Sequence, residues 1–597
     1  MSLELLADLV VLMLVLGTTA IVLHGWGNLT WRLLDIEQPN KPSVMTVWLG
    51  FCVVIGCVEI VHLFAPVDWK VTFAVALTGL IGYGLNLKSF FSLKDSHPTD
   101  VLPTSGILSV CFSTIRCHPL RSLLATIVVI VWCLRAMELP TMYDSGLYHF
   151  GSIRWLNEHP VVPGLGNLHW RLALNQSYFA FLALLNIAPF WGKGYAAGGL
   201  FLLLLTLLTI LEVGATQSKM WRWIFGGVLF SYLCLLSGPI ANPMPDTAVA
   251  LLQIVIFIFL YLNFVPNAET SRTTIRQYHH LQIVIALLCL TIVTVKLSSL
   301  GFAIASFGFV AVWAFRSTRH KLPSLVVTRL ITLLGLFAVI HVCRGYLLSG
   351  APFFPSPIGG VWSLPWAVEF GVAQNESQLI YAWAKQPGIR SATELATNFN
   401  WFNSWFAALP MTLLLLMSFS TVLNLISLGV FLRYRSAISP DLRAVSMIVP
   451  VIASLVFWFM TAPDVRFLGA IAILYFICSL WLVVSIRPSS YSRLKVSKLF
   501  LSPTLNGVAS LFVLICFVRW SIAGLVAVSG WPNLPDVPVA KHSTRSGLAV
   551  WVPEQGQQCW NHPLPCAVLA HDSLREAPLL PNWLQQVLPR QNILTTR

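Results

Sequence analysis

The sequence predicts an all-α polytopic membrane protein. The predicted architecture is a bundle of about 14 transmembrane helices, with a large external loop after the fourth helix and a small external C-terminal segment. The first observation is composition: 56% of the 597 residues are hydrophobic and only 10% are charged, whereas soluble domains contain roughly 25% charged residues. The second is a series of apolar runs about 20 residues long, the length that crosses a bilayer as a helix. The third is a one-sided distribution of Lys and Arg.

Fourteen apolar runs supply the predicted spans. They are residues 5–24, 46–64, 71–87, 121–137, 195–213, 221–238, 246–264, 280–297, 299–315, 327–347, 408–432, 444–462, 467–486 and 505–528. The first run is expected to be an uncleaved span, because residues 1–8 lack the basic residues that begin a signal peptide. The run 178–190 is too short for an easy crossing, so we expect a re-entrant or interfacial helix there.

Basic residues gather in alternate short loops, for example at 433–443 and 487–498. Cytoplasmic loops carry this excess, so both chain termini are predicted to lie outside. Counting residues 178–190 as a span would reverse every later loop and place the loops poor in Lys and Arg inside. The net charge of +14 is explained by these loops. No continuous basic patch interleaved with aromatic residues is present, so the predicted partner is the lipid bilayer and not nucleic acid.

The predicted membrane domain covers residues 1–528, with external loops at 138–194 and 348–407. The second loop is a candidate lid or docking surface. Residues 529–597 form a small extracytoplasmic segment, which is expected to lean on the membrane domain because it is short for an independent core. Cys559 and Cys566 lie seven residues apart in a turn-rich part of it. In an oxidising compartment they are predicted to form a disulfide, with two free thiols as the alternative.

The stretch 143–149 places an acid, a histidine and two tyrosines directly after the fourth span. Asp144 has two interpretations: it caps a helix that begins at Ser145, or it is a catalytic carboxylate that accepts a proton. At a partly dehydrated membrane surface the pKa of this carboxyl is expected to be raised. Tyr148 and His149 lie one turn further on, where they would orient Asp144 or contact a sugar.

Ionisable residues at other loop positions and span ends complete the predicted site. The candidates for substrate or donor binding are Tyr148, His149, Arg154, His169, Arg171, Asp246, Lys296, Arg344, Asp464 and Arg466. Considered by itself, Lys296 has an alternative interpretation as a residue that snorkels to the membrane surface. Asp464 and Arg466 have the alternative of forming an ion pair with each other. Otherwise, cations at the external face suit a phosphate or pyrophosphate. A divalent metal on Asp144, His159 and His169 is left open, but their spacing matches no standard metal pattern, so no metal ligand and no cofactor is assigned.

Several motifs resemble bacterial integral membrane proteins of the GT-C glycosyltransferase type, over most of the chain after about residue 120. The residues that carry the resemblance are 143–149, 153–155, 160–169, 175–177, 349–350, 463–467 and the segment with Cys559 and Cys566. The resemblance implies a GT-C-like fold in a bacterial cytoplasmic (inner) membrane, with its active site facing the periplasm. It also implies a sugar donor on a polyprenyl phosphate and a hydroxyl acceptor on a cell-surface glycan or lipid. The acidic pair usual in such proteins is absent, since Tyr143 precedes Asp144.

Carried onto this sequence, the resemblance implies an inverting transfer with Asp144 as the general base. Arg466, with Arg344 or Lys296, would stabilise the departing phosphate. Three other classes remain open. A polysaccharide polymerase or ligase is expected to have essential arginines in a late external loop, where only Arg390 occurs. A transporter of lipid-linked sugars would need polar sites at the midplane and commonly has repeated halves, and no repeat is visible. A scaffold would leave the polar loop unexplained.

Overall fold

Helices form the body of the protein in the computed structural model. The structure describes residues 2–39, 43–92, 119–187, 191–216, 225–264, 272–316, 321–386, 399–433, 442–485, 503–523, 525, 528–577 and 593–595. The α-helices of the first half are α1 Leu3–Leu33, α2 Val44–His62, α3 Trp69–Ser92, α4 Pro119–Ala136, α5 Phe150–Glu158, α6 Leu165–Leu168, α7 Tyr178–Asn186, α8 Gly194–Thr216, α9 Gly227–Leu236, α10 Pro245–Phe264 and α11 Arg272–Val295. Those of the second half are α12 Leu300–Arg316, α13 Ser324–Ser349, α14 Phe370–Lys385, α15 Trp401–Ala408, α16 Met411–Arg433, α17 Leu442–Thr461, α18 Val465–Leu468, α19 Ile471–Ser485 and α20 Pro503–Cys516. Ser145–His149 and Phe517–Ile522 are π-helical, and Trp170–Ala173 and Leu297–Ser299 are short 3-10 turns.

Each of the fourteen predicted spans overlaps one of these helices. Within the described residues, eight helical stretches are long and apolar enough to cross a membrane. They belong to α1, α2, α8, α10, α11, α12, α13 and α16. The mainly helical, multi-pass membrane architecture is thereby supported, and the count of fourteen crossings stays a prediction.

The helix α10 lies at the centre of the bundle. Of the 18 residues in its most apolar stretch, 94% are buried inside the protein. The corresponding buried share is 17% for α13 and 11% for α16. A helix that is apolar on all sides and surrounded by protein forms the core of a bundle. Asp246 lies in the first turn of α10, so the central helix begins with a carboxylate at one end of the bundle.

The short apolar run 178–190, inside the first predicted external loop, forms α7. This helix has nine residues and rises about 14 Å, less than half of a roughly 30 Å hydrocarbon core. Residues 178–185 are all buried. Ser177 donates its backbone N–H to Thr294 near the end of α11, and Leu184 accepts from the Thr72 hydroxyl near the start of α3. Both neighbours belong to predicted external helix ends, as a re-entrant segment requires. Residues 188–190 of the predicted run lie outside the described part of the chain.

At the opposite end of the bundle, residues of the predicted cytoplasmic loops and helix ends contact one another. The His280 ring bonds the backbone oxygen of Glu37 at 2.8 Å, and the Ser43 hydroxyl bonds Glu212 at 3.0 Å. Arg329 donates to the backbone oxygen of Leu33 at 3.0 Å. Most residues of the basic loops that decided the orientation, including 434–441 and 486–502, lie outside the described residues, so which end faces the cytoplasm stays a prediction.

The C-terminal segment departs from the all-α expectation, because it contains two antiparallel strand pairs. Strand β1 Val539–Ser543 pairs with β2 Ala549–Pro553, and β3 Arg575–Ala577 pairs with β4 Ile593–Thr595. The β-branched residues of β2 favour extended backbone, and Val550 is completely buried. The segment also contains the disulfide between Cys559 and Cys566.

Candidate active site at one end of the bundle

Asp144 directly precedes the π-helical segment Ser145–His149 and has helical backbone dihedral angles itself. Its side chain makes no helix-capping hydrogen bond within the described part of the chain, so the capping interpretation is wrong. The next residue, Ser145, accepts a hydrogen bond from the Phe150 N–H, five residues further on. Short π-helical insertions are rare and occur frequently at functional sites.

Two arginines hold the Asp144 carboxylate, one on each oxygen. Arg171 Nη1 lies 2.9 Å from Oδ1, and Arg466 Nη1 lies 3.1 Å from Oδ2. Arg171 also approaches Glu376 at 3.7 Å, and Arg466 approaches Asp464 at 3.8 Å. Residues from the two predicted external loops and from the α17–α19 connection therefore form one chain of alternating charges.

A second ion pair adjoins this chain. Lys296 Nζ lies 2.5 Å from Asp246 Oδ1 and 4.3 Å from the centre of the Phe467 ring. The Arg466 guanidinium lies 5.3 Å from the same ring. The structure thus brings Asp246, Lys296 and Arg466 together with Asp144, as the sequence analysis expected. Cations stacked on an aromatic face are held in position by its negative potential.

The charges of the site lower the pKa of Asp144, which corrects the expectation of a raised value. Burial raises the pKa, but the positive charges of Arg171 and Arg466 outweigh it. Burial has the larger effect at Glu376, so the pKa of that carboxyl lies above its ordinary value despite Arg171. Asp144 is therefore ionised well below neutral pH, as a proton acceptor must be.

The site opens to solvent through its arginines. The side chains of Arg466 and Arg171 are 37% and 32% exposed, and that of Asp144 is 20% exposed. An anion arriving from solvent therefore has access to the guanidinium groups. Each guanidinium has five N–H donors, so it can bind a phosphate while keeping its bond to Asp144.

The aromatic residues after Asp144 line the interior. Tyr148 and His149 are 6% and 1% exposed and pack edge to face, with His149 against Phe179. Burial lowers the pKa of His149 to about 3, so its ring is neutral. The Arg171 guanidinium lies 5.8 Å from the centre of the Tyr148 ring. These contacts let Tyr148 orient Arg171, but neither ring is placed to contact a sugar from solvent.

His169 is also buried, at 4% exposure, and its ring stacks on Trp170. Burial lowers the pKa of His169 to about 3. Within the described residues, no group of three His, Cys, Asp or Glu side chains lies close enough to hold a metal ion. The structure therefore does not bring Asp144, His159 and His169 together as a ligand set.

Arg154 lies outside the charge cluster. Its guanidinium bonds Glu158 at 2.5 Å and the backbone oxygen of Asn561 at 2.6 Å. It links α5 to the C-terminal segment, and the structure gives it no contact with Asp144.

Arg344 forms a separate buried cluster and is not available to a phosphate in the way the sequence analysis expected. It is 4% exposed and bonds Asn175 at 3.2 Å, His62 at 2.7 Å and Glu59 at 3.4 Å. Glu59 also bonds His341 at 3.1 Å. A cavity of about 40 Å³, large enough for a water molecule, is lined by Arg344 and Arg171 and separates the two clusters.

Removing one partner of this buried cluster should destabilise the protein. Arg344→Ala removes the permanent positive charge beside Glu59 and leaves this buried carboxylate with His341 as its partner. Breaking a buried pair in this way costs about 3–5 kcal/mol. Thermal unfolding in detergent measures the loss. Glu37→Ala is the control, because it removes the exposed partner of Arg276 and should cost about 0–1 kcal/mol. Equal melting temperatures for Arg344→Ala and the wild type would show that the cluster does not stabilise the fold.

Two residues that the sequence analysis did not select help build the site. Asn242 is 4% exposed, and its Oδ1 accepts from Thr141 N at 2.9 Å, Met142 N at 2.8 Å and Ser145 Oγ at 3.2 Å. The other is Glu376, whose carboxylate approaches Arg171 at 3.7 Å. The available signal was weak: Asn242 is a polar residue between prolines just before α10, and Glu376 lies in a polar run of the second external loop.

Comparison with known proteins identifies the family of this chain. The family model described as "Domain of unknown function (DUF8201)" matches residues 9–473. The match includes Asp144, Arg171, Asp246, Lys296 and Arg466 and stops before the C-terminal segment. Neither the curated proteins nor the solved structures gave a match. Since the matched residues make up well over half of the chain, the protein belongs to the DUF8201 family.

Proposed function

We propose that the protein is a membrane glycosyltransferase of the GT-C type. It moves a sugar from a polyprenyl-phosphate donor to a hydroxyl group of a glycan or lipid acceptor on the extracytoplasmic face of a bacterial cytoplasmic membrane. The observation that supports this most is the Asp144 carboxylate held between Arg171 and Arg466, next to Lys296, at one end of an apolar bundle. A proton acceptor beside exposed cations suits the transfer of a sugar from a phosphate.

The reaction needs one base and one set of cations. Asp144 accepts the proton of the acceptor hydroxyl while that oxygen forms a bond to the anomeric carbon. The bond from this carbon to the phosphate oxygen breaks, and its electron pair leaves with the lipid phosphate. Arg466 and Lys296 stabilise the negative charge that develops on the phosphate. Attack opposite the leaving group inverts the anomeric centre.

The position of the charges favours an enzyme over a transporter. Transport sites lie near the bilayer midplane, whereas Asp144, Lys296 and Arg466 lie at helix ends and loops. A polysaccharide polymerase or ligase would need arginines in the second predicted external loop. The arginine of that loop, Arg390, lies outside the described residues. No second function has an observation of its own in its favour.

The proposal can be tested in two steps. A strain that lacks the protein should lose one sugar from a surface glycan or lipid and accumulate the polyprenyl-phosphate donor, as measured by mass spectrometry. The purified protein should then transfer that sugar in detergent solution, where no membrane separates two compartments. Unchanged glycans in the deletion strain would contradict the proposal. Loss of the glycan without transfer in detergent would favour a transporter.

The acid limb of the pH–rate profile should report Asp144. Because its pKa is lowered, the carboxylate stays ionised as the pH falls, and kcat/KM should decline only below about pH 4, the ordinary value of an aspartate. Arg171→Gln removes a charge that lowers this pKa, so the limb should move to higher pH. Arg329→Gln, at the opposite end of the bundle, is the control, and Glu376→Gln separates the titration of Glu376 from that of Asp144. A limb that stays in place in Arg171→Gln would contradict the assignment.

A further inference from the structure

The C-terminal segment bonds the backbone on both sides of Asp144. We name residues 557–566, which contain Cys559 and Cys566, the disulfide loop. Gln558 Nε2 donates to the backbone oxygen of Tyr143 at 2.8 Å, and Trp560 N–H donates to the backbone oxygen of Gly146 at 2.9 Å. These bonds reach the residue before Asp144 and the second residue after it.

Trp560 also packs directly on the π-helical segment. A Cβ atom at Gly146 would lie 2.6 Å from the Trp560 ring, so only glycine permits this approach. The Trp560 side chain is 9% exposed and its ring lies 6.0 Å from that of Phe150. Its backbone has φ +47°, a conformation that a large side chain seldom adopts. Such a conformation persists where surrounding contacts enforce it, and these positions cluster at active sites.

Other contacts restrain the same stretch from different directions. Asn242 bonds Thr141, Met142 and Ser145, as described above. Next to Trp560 in the disulfide loop, the backbone oxygen of Asn561 accepts a bond from Arg154 in α5. The stretch that carries Asp144 is thus held between the segment before α10 and the disulfide loop.

We infer that the disulfide loop, with Trp560 at its centre, is a positioning element for Asp144. The inference depends on the proposed function only in taking Asp144 as the base. The covalent link keeps the loop closed, and the loop fixes this stretch so that the carboxylate meets Arg171 and Arg466. The loop lies outside residues 9–473, which the family model matches.

Hydrogen–deuterium exchange tests the structural half of the inference without any activity assay. In Trp560→Ala and in the double variant Cys559→Ser/Cys566→Ser, peptides covering residues 141–150 should exchange faster than in the wild type. Peptides from α10 should not change. His562→Ala is the matched control, because His562 belongs to the same loop but its ring faces Trp551. Unchanged exchange at residues 141–150 in both variants would overturn the inference.

Kinetics in detergent test the functional half. A displacement of about 1 Å at a reacting group can lower a rate roughly 100-fold, so Trp560→Ala should lower kcat by about that factor and leave KM for the donor near its normal value. Trp560→Phe keeps an aromatic ring against Gly146 and should recover most of the loss. A reductant should lower the kcat of the wild type and leave the double serine variant unchanged.

The outcomes separate the two proposals. Faster exchange at residues 141–150 together with a fall in kcat supports the positioning role. A normal kcat per folded molecule in Trp560→Ala overturns it, because the loop would then only stabilise the protein. If the variants exchange faster at residues 141–150 but the wild type transfers no sugar, the disulfide loop still holds this stretch. The proposed function would then be contradicted.

Discussion

Asp144→Asn should lower kcat for sugar transfer by about 1,000-fold, within the range that general-base catalysis contributes. Asparagine has the shape of aspartate but cannot accept the proton of the attacking hydroxyl. The change also removes the negative charge that bonds Arg171 at 2.9 Å and Arg466 at 3.1 Å. Both arginines would then be freer to bind the donor phosphate, so KM for the donor should stay the same or fall.

Transfer of a labelled sugar and binding of a polyprenyl phosphate, measured by native mass spectrometry, give the two readouts. Asp572→Asn is the control, because Asp572 is an exposed acid of the C-terminal segment that pairs with His542 and should keep full activity. A kcat for Asp144→Asn within a few-fold of the wild type would remove Asp144 from the mechanism. Loss of both activity and lipid binding would instead point to a disturbed fold.

The helices could be predicted from the sequence because each apolar run has a length that the bilayer requires. The run 178–190 shows the value of this criterion, since its shortness predicted a re-entrant or interfacial helix and the structure describes the nine-residue α7 there. The strands could not be predicted in the same way. In the C-terminal segment, each strand is stabilised by a partner strand elsewhere in the sequence. The strands β3 and β4 have three residues each, which is too short for an alternating pattern of apolar and polar residues to be recognised.

The placement of Asp144 and Arg466 at the same end of the bundle could also be predicted, because the distribution of Lys and Arg put both residues on one predicted face of the membrane. That argument fixes the depth of a residue in the bundle but says nothing about its lateral neighbours. Arg344 is the example: it lies near the predicted external end of α13, yet its side chain bonds Glu59 and His62 of α2. The pKa of Asp144 was predicted in the wrong direction for the same reason, since Arg171 and Arg466 were not known to bond it.

Arg466→Gln should lower kcat by about 100- to 1,000-fold, the usual cost of removing one donor that stabilises a developing negative charge. The charge forms on the phosphate oxygen as its bond to the sugar breaks, and Arg466 is the most exposed cation in contact with Asp144. Arg466→Lys should be intermediate, because a lysine keeps the charge but loses the planar pair of donors that fits a phosphate. Arg329→Gln, at the opposite end of the bundle, is the control. A normal kcat for Arg466→Gln would leave Arg466 as a structural partner of Asp144 and Asp464.

The double variant Asp144→Asn/Arg466→Gln decides whether the two residues act as one unit. Side chains that touch and serve the same transition state have effects that do not add, and these two lie 3.1 Å apart. The double variant should therefore lose much less than the product of the two single losses. Lys296→Gln combined with Asp144→Asn should come closer to that product, because Lys296 bonds Asp246 and not Asp144. If the losses from Asp144→Asn and Arg466→Gln multiplied fully, the base and the phosphate-binding group would act independently, and their contact would be incidental to catalysis.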